Sequence, residues 1–268
     1  MDFKKIKRFL NKEVGIELNS EKLEKVYKKK LDSILKSLNI SYEEFNRKLL
    51  TKDEKLRNEL IRKFTVNETY FFREKHQFDT LINYVLPELD KKLDINEVIS
   101  ILCAPVSSGE ELYSIAILLL EEGNLIKKRD FFLLGIDIDS DMIKRAKKGI
   151  FPKRSLQKLP SEMIKKYFIK KGESYEAIDE LKNAVNFKVV NVLDEKAMMS
   201  LGKFDVIFSR NMLIYFDEVH KNQVILTFCK MLKDDGYLFL GHAERVTNNL
   251  FKIVKLGDSI VYKKNSNC

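Results

Sequence analysis

From Val98 onward, short continuous apolar runs alternate with amphipathic stretches, and no other feature restricts the possible folds as strongly. The runs are VISILC starting at Val98, FFLLGID over 131–137, NFKVV over 186–190, FDVIFS over 204–209 and GYLFLGH over 236–242. Apolar and β-branched residues on both faces suit strands covered above and below, and helical patterns separate most of these runs. The alternation predicts an α/β fold, a parallel sheet with helices on both faces. The last two runs, FKIVKL and SIVYKK, flank Gly257-Asp258, a hairpin signal, so the sheet is expected to end in antiparallel strands.

Ahead of the sheet, residues 1–64 read as a small helical domain. Ile6, Phe9 and Leu10 recur at helical spacing. Leu23, Val26, Tyr27, Leu31, Ile34, Leu35 and Leu38 do so again after Ser20, a start signal followed by Glu21 and Glu24. A third stretch, from Ser41 to about Lys63, puts Phe45, Leu49, Leu56, Leu60, Ile61 and Phe64 on one stripe. Residues 65–97 are expected to be a linker with a ligand-contacting helix, and 98–268 the sheet domain. One segment breaks the alternation. Between Gly149 and Asn186 the chain is polar and Lys-rich, punctuated by Pro152, Pro160 and Gly172, and KKYFIKKGESYEAI predicts a short hairpin. It is read as an inserted β subdomain at about 160–188.

With 268 residues, 44% hydrophobic against 33% charged, the chain can bury a substantial core in one or two domains. Ten Gly and four Pro exclude a fibrous or low-complexity protein. No apolar run approaches the roughly 20 residues needed to cross a bilayer. The opening MDFKKIKRFL lacks the apolar stretch and small-residue cleavage site of a secretory signal. Cys103, Cys229 and Cys268 are odd in number and form no CxxC pair, which argues against a disulfide framework or a Cys-built zinc site. A reducing cytoplasm is the expected compartment, with Cys103 and Cys229 as small buried apolar side chains. Up to Phe64, 18 Lys and Arg stand against 11 Asp and Glu, which is +7 of the chain's +9. Such a surplus suits a nucleic acid, an anionic membrane surface or an acidic protein, or is simply a solvated helix face.

In doubly wound sheets ligands bind beyond the carboxyl ends of the strands, which directs attention to the turn after the first strand. That turn runs from Cys103 through Pro105, Val106, Ser107, Ser108 and Gly109 to Glu110 and Glu111. One glycine and two carboxylates cannot cradle a pyrophosphate as GxGxxG does, so a cationic or polyhydroxylated ligand fits better. The second strand ends at Asp137, placed to accept both hydroxyls of a ribose, while Asp139 opens the next helix and reads as its N-cap. Together these point to S-adenosyl-L-methionine rather than NAD. Two further blocks concentrate polar groups among aromatics: NETYFFRE (67–74), and SRNMLIYF (209–216) directly after the FDVIF strand.

The segments NETYFFRE, SSGEELYSIA, GIDIDSDMIKRAKKGIF, FDVIFSRNMLIYF and GYLFLGHAE resemble, in order and spacing, the chemotaxis-receptor glutamate O-methyltransferases, the CheR family. Pro105 and Val106 replace the small residues usual in that family, and Leu112 its usual Pro. The resemblance implies a Rossmann-like class I methyltransferase in which Asn67, Thr69 and Arg73 contact S-adenosyl-L-methionine from the linker side. Glu110 or Glu111 would hold its amino-acid end, Asp137 its ribose, and Asn191 and Val192 would flank the adenine. Arg210, Asn211 and Tyr215 would complete the pocket around the methyl donor, with Arg73 and Tyr215 in catalytic roles. The implied partner is the cytoplasmic helical domain of a chemoreceptor, met by the basic N-terminal helices. The implied enzyme is a cytoplasmic monomer that yields S-adenosyl-L-homocysteine. The insertion around Lys170–Ile178 looks shorter than in members that tether a receptor's C-terminal peptide, so no such tether is expected.

Two rivals remain in view. A nucleic-acid methyltransferase would share the sheet and use the positive charge, but Arg210-Asn211-Met212-Leu213 departs from the acid-Pro-Pro-aromatic pattern of base amino-methylation. Neither Cys103 nor Cys229 follows the proline that cytosine C5 methylation requires. A cofactor-binding module without turnover is the other. His76, His220 and His242 form no spaced ligand pair, and no metal is expected.

Overall fold

The computed structural model describes residues 3–18, 24–123, 128–247 and 249–266. Among the described residues, four α-helices come first: α1 Phe3–Val14, α2 Glu24–Leu38, α3 Tyr42–Leu50 and α4 Glu54–Phe64. Ile6, Leu10, Leu31, Ile34, Phe45, Leu56 and Leu60 meet in their buried centre. The single stripe expected from Ser41 to Lys63 is in fact two helices. Asp53 accepts the Leu56 N–H at 2.8 Å, and the left-handed Lys52 (φ 54°) turns the chain between them. Ser20 and Glu21, read as a helix start, lie outside the described residues.

After a loop over 65–74, α5 Lys75–Thr80, a π turn Leu81–Val85 and α6 Leu86–Lys92 lead into the sheet domain. Its strands are β1 Ile99–Cys103, β2 Phe131–Asp137, β3 Ile150–Pro152, β4 Phe168–Lys171, β5 Ser174–Ala177, β6 Asn186–Val189, β7 Phe204–Ser209, β8 Leu232–Leu240, β9 Phe251–Leu256 and β10 Ser259–Lys264. The helices between them are α7 Glu110–Glu121, α8 Ser140–Lys148, α9 Ser161–Tyr167, α10 Asp179–Asn183, α11 Glu195–Met199 and α12 Glu218–Met231. Seven strands form one sheet in the order β6-β2-β1-β7-β8-β10-β9. β6, β2, β1, β7 and β8 pair in parallel, and β10 runs antiparallel to both neighbours.

Successive strand residues bury on opposite faces, which is why these runs read as continuously apolar. Ile101, Cys103, Val206 and Phe208 face α7 and the α5–α6 segment, whereas Leu102, Leu134, Ile207 and Leu238 face α12. At the centre, Phe208 and Phe239 stack with centroids 4.3 Å apart. Burying a side chain of this size stabilises the fold by roughly 1.5–3 kcal/mol.

The inserted element is a separate antiparallel sheet, β3-β5-β4, with its tight turn at Gly172 (φ 58°). It begins earlier than the expected 160, because Ile150–Pro152 ladders onto Ser174–Glu176. It also ends earlier than 188, because Asn186–Val189 pairs in parallel with β2 and belongs to the large sheet. Phe71, Phe151 and Phe168 meet edge to face, fastening the insert to the loop before α5.

Candidate active site

The strand order reverses at β1, between β2 and β7, so the loops leaving the carboxyl ends of these strands cannot cover one another and a crevice opens there. It holds two joined compartments. An apolar one of about 630 Å³ is lined by Val14, Ile16, Phe64, Ile138, Val192 and Met212, among others. A polar one of about 690 Å³ is lined by Thr69, Tyr70, Arg73, Ser107, Glu111 and Arg210, among others. Asn67, Pro105, Asp137, Asn211 and Tyr215 border both. The crevice thus brings together every residue named from the resemblance except Glu110.

Glu110 and Glu111 are one residue apart on α7, so they point about 100° apart. Glu110 turns away from the cleft and accepts the hydroxyls of Ser108 (2.7 Å) and Ser155 (3.0 Å), tying the turn to the insert. Glu111 enters the polar compartment, with Oε2 3.0 Å from Arg210 Nη1. Burial pushes both carboxyls up in pKa, and the Arg210 charge opposes that rise at Glu111. The Cys103 thiol behind Glu111 is pushed up as well, by burial and by that carboxylate.

Arg210 follows β7 and is almost wholly enclosed. Its Nη2 donates to the Arg73 carbonyl and lies 3.6 Å from Glu74 Oε2, and its guanidinium sits over the Phe78 ring at 5.3 Å. Even so, Arg210 Nε and Nη1 and Glu111 Oε1 are buried without a hydrogen-bond partner among the described residues. The Glu111–Arg210 contact is close but off the line a hydrogen bond needs. Buried polar atoms of opposite character left open in one pocket are what a zwitterionic ligand would complete.

Asp137 ends β2 at the junction of the compartments. Its carboxylate accepts the Ser107 N–H at 2.8 Å and the Asp139 N–H at 2.9 Å, leaving lone pairs for a further donor. Burial pushes its pKa up to about 6. Asp139 is the α8 cap, accepting from Asp141 and Met142 N–H groups, while its other oxygen accepts from Asn67 Nδ2 at 3.2 Å. Asn191 follows β6 and donates to the Glu13 carbonyl at 2.8 Å, which draws the end of α1 over the apolar compartment. On the other side Glu17 N–H donates to the Tyr215 carbonyl at 2.9 Å.

Arg73 stands at the mouth. Its Nη1 donates to the Glu68 carbonyl at 2.7 Å and its guanidinium lies 5.9 Å from the Tyr70 centroid. Among the ion pairs of the described residues, none involves Arg73, in contrast with the enclosed Arg210.

Sequence reasoning missed five contributors. Val14, Ile16 and Phe64 wall the apolar compartment from the helical domain, a tertiary contact with no local signature. Glu74 joins Arg210 to His242, whose Nδ1 is 3.4 Å from Glu74 Oε1. Glu244, within the GHAE segment, gathers the loop after β7, and that segment was the available signal.

A sheet of this order, with a buried carboxylate at the end of its second strand and a cleft where the strand order reverses, defines a Rossmann-like domain that takes a nucleoside-containing ligand. The cleft fits S-adenosyl-L-methionine: an apolar slot for a base, Asp137 for a diol, and unpartnered Glu111 and Arg210 atoms for an amino and a carboxyl group. Residues 67–260 match the family described as CheR methyltransferase, SAM binding domain. The chain is 35% identical over 260 residues to the chemotaxis protein methyltransferase of Campylobacter jejuni, covering 96% of this chain and 94% of that one. It is 38% identical over 208 residues to chemotaxis protein methyltransferase 2 of Vibrio cholerae (76% and 72% covered). It is 40% identical over 212 residues to the chemotaxis protein methyltransferase of Borreliella burgdorferi (77% and 74%). The chain belongs to the CheR methyltransferase family. No helix among the described residues is long and apolar enough to cross a membrane.

Proposed function

We propose that this enzyme methylates glutamate side chains on the cytoplasmic helices of chemoreceptors, giving the methyl esters used in sensory adaptation. The observation that carries this reading is Arg73, a guanidinium with no carboxylate partner at the opening of the polar compartment. A planar fork in that position suits an incoming carboxylate. A glutamate is ionised at neutral pH, with a reference pKa near 4.3, and needs no general base. Among the described residues neither His nor Lys lines the polar compartment.

When bound, S-adenosyl-L-methionine supplies a methyl group on a positively charged sulfur. Asn67, Thr69, Glu111, Asp137, Asn191, Val192, Arg210 and Asn211 would hold it. Arg73 also borders its site and orients the acceptor oxygen toward the methyl. Tyr215 shapes the junction where the two reactants meet. Val66 and Ile214, both about half exposed at the rim, would close against an acceptor helix and strip water from the approaching charges. Positioning and desolvation then supply most of the rate. The helical domain, with +7 of the chain's charge, would steer toward acidic receptor helices, and the enzyme would act as a cytoplasmic monomer.

The test is incubation of the protein with methyl-labelled S-adenosyl-L-methionine and receptor-containing membranes. Label released as methanol by mild base supports glutamyl ester formation. Base-stable label, or label in added RNA or DNA, overturns it.

A further inference from the structure

We infer that Glu244 is the positioning residue that sets the geometry of the transfer site, holding the loop that carries Asn211 and Tyr215 without touching either reactant. Glu244 is 3% exposed and lines neither compartment of the cleft. Its two oxygens accept four backbone N–H groups. Oε2 takes Gly241 at 2.7 Å and Asn211 at 2.9 Å, and Oε1 takes Met212 at 2.9 Å and Leu213 at 2.6 Å. Among the described residues no basic side chain forms an ion pair with it, so the charge is met by converging peptide dipoles, which an anion binds well.

The loop needs such a hold. Asn211 is in the left-handed region at φ 58°, and one turn of 3-10 helix, Leu213–Tyr215, follows at once. A residue forced into that conformation persists only where its surroundings over-determine it. Gly241 is part of the same device. A Cβ there would lie 2.8 Å from Glu244 Oε2 and 2.9 Å from Asn211 Nδ2, so the carboxylate and the loop close around a bare backbone. Glutamine at 244 keeps the shape but turns an NH2 group toward two N–H donors, releasing one side of the loop.

The inference rests on Asn211 and Tyr215 bordering the site of methyl transfer. Glu244→Gln should lower kcat for receptor methylation on the order of a hundredfold, the scale of a small misplacement at a reacting centre. The receptor KM should stay close to that of wild type. In a Tyr215→Phe background the same substitution should cost much less, because residues acting through one another are non-additive. Gly241→Ala, which keeps the carboxylate but pushes it out of place, should reproduce the kcat loss and covers the case in which Glu244→Gln does not fold. A folded Glu244→Gln or Gly241→Ala enzyme with wild-type kcat, or full additivity with Tyr215→Phe, overturns the inference. Absence of receptor methylation by the wild-type enzyme would instead remove the proposed function.

Discussion

Between about pH 4 and 6 Asp137 keeps its proton in the empty enzyme, whereas the proposed ribose contact favours its ionised form, and a pH titration should expose the conflict. Burial pushes its carboxyl up to about 6 against the pull of the Asp139 and Ser107 N–H groups, and the Asp139 charge adds to the rise. In the unfolded chain it titrates near 3.9. Between about pH 4 and 6 the folded state keeps a proton that the unfolded state has released, so the contribution of Asp137 to stability is fully present below about 4 and is lost as pH rises through 6. Two units at roughly 1.4 kcal/mol each make the loss about 3 kcal/mol. Glu88 and Asp217, held down at about 2, act in a lower window and with opposite sign. Glu110 and Glu111 are also raised and overlap the window, so the signal should be read as a difference. Urea unfolding of wild type and Asp137→Asn should give a stability difference that shifts against wild type by about 3 kcal/mol from pH 4 to pH 7. A constant offset from the altered hydrogen bonds to Ser107 and Asp139 is expected on top. In the proposed complex the ribose hydroxyls would donate to the ionised form, so calorimetric affinity for S-adenosyl-L-homocysteine should rise over the same range in wild type and not in the variant. A pH-independent difference, or affinity that falls with rising pH, would refute the reasoning.

Three further outcomes are expected. Arg73→Ala should reduce methyl incorporation on the order of a hundredfold while S-adenosyl-L-homocysteine binding changes far less, and Arg73→Lys should recover only part of the loss; turnover equal to wild type would remove Arg73 from the reaction. Arg210→Met leaves Glu111 enclosed without its partner and should destabilise the protein by about 3–5 kcal/mol in urea unfolding. Phe64→Ala takes away part of the apolar wall supplied by the helical domain and should weaken S-adenosyl-L-homocysteine binding by up to about 1.5–3 kcal/mol in calorimetry.

The central strands β1, β2 and β7 were legible because a strand covered on both faces has no polar period, so each declares itself as a largely apolar block. The break between α3 and α4 was not, because the apolar stripe continues in phase across Thr51-Lys52-Asp53, and only the Asp53 cap and the left-handed Lys52 reveal the turn. Asp139 could be read as a cap because capping is local, settled within three residues. Whether Glu110 or Glu111 faces the cleft could not be read, because the answer lies in how α7 is rotated against the sheet. That rotation is fixed by buried contacts of Leu112, Ile115 and Ala116 with distant strands. The wall made by Val14 and Ile16 was illegible for the same reason. Their positions follow from Asn191 gripping the Glu13 carbonyl, a pairing 178 residues apart.

Strain and misfit gather at the rim of this sheet, and cohesion lies at its centre. Four non-glycine residues with left-handed backbones border the cleft or lie just behind it: Phe72, Glu74, Ser107 and Asn211. Each departs from its preferred conformation at a cost of roughly 1–3 kcal/mol. The enclosed Arg210, with Nε and Nη1 unsatisfied, adds a desolvation penalty that Glu111 and Glu74 only partly offset. Those terms would be untenable in an isolated loop. They persist because each strained residue is anchored to a neighbour: Phe72 N–H to Ser114 of α7 at 3.0 Å, the Glu74 carboxylate to Gln77 Nε2 at 3.3 Å, Ser107 N–H to Asp137 at the end of β2, and Asn211 N–H to Glu244 beyond β8. The stacked Phe208 and Phe239 and the aliphatic layers on both faces stabilise the elements that carry these anchors. A cleft so held can keep charged atoms unsatisfied until a ligand arrives, and removing any one anchor should both cost stability, by leaving buried N–H groups unsatisfied, and blur the site it serves.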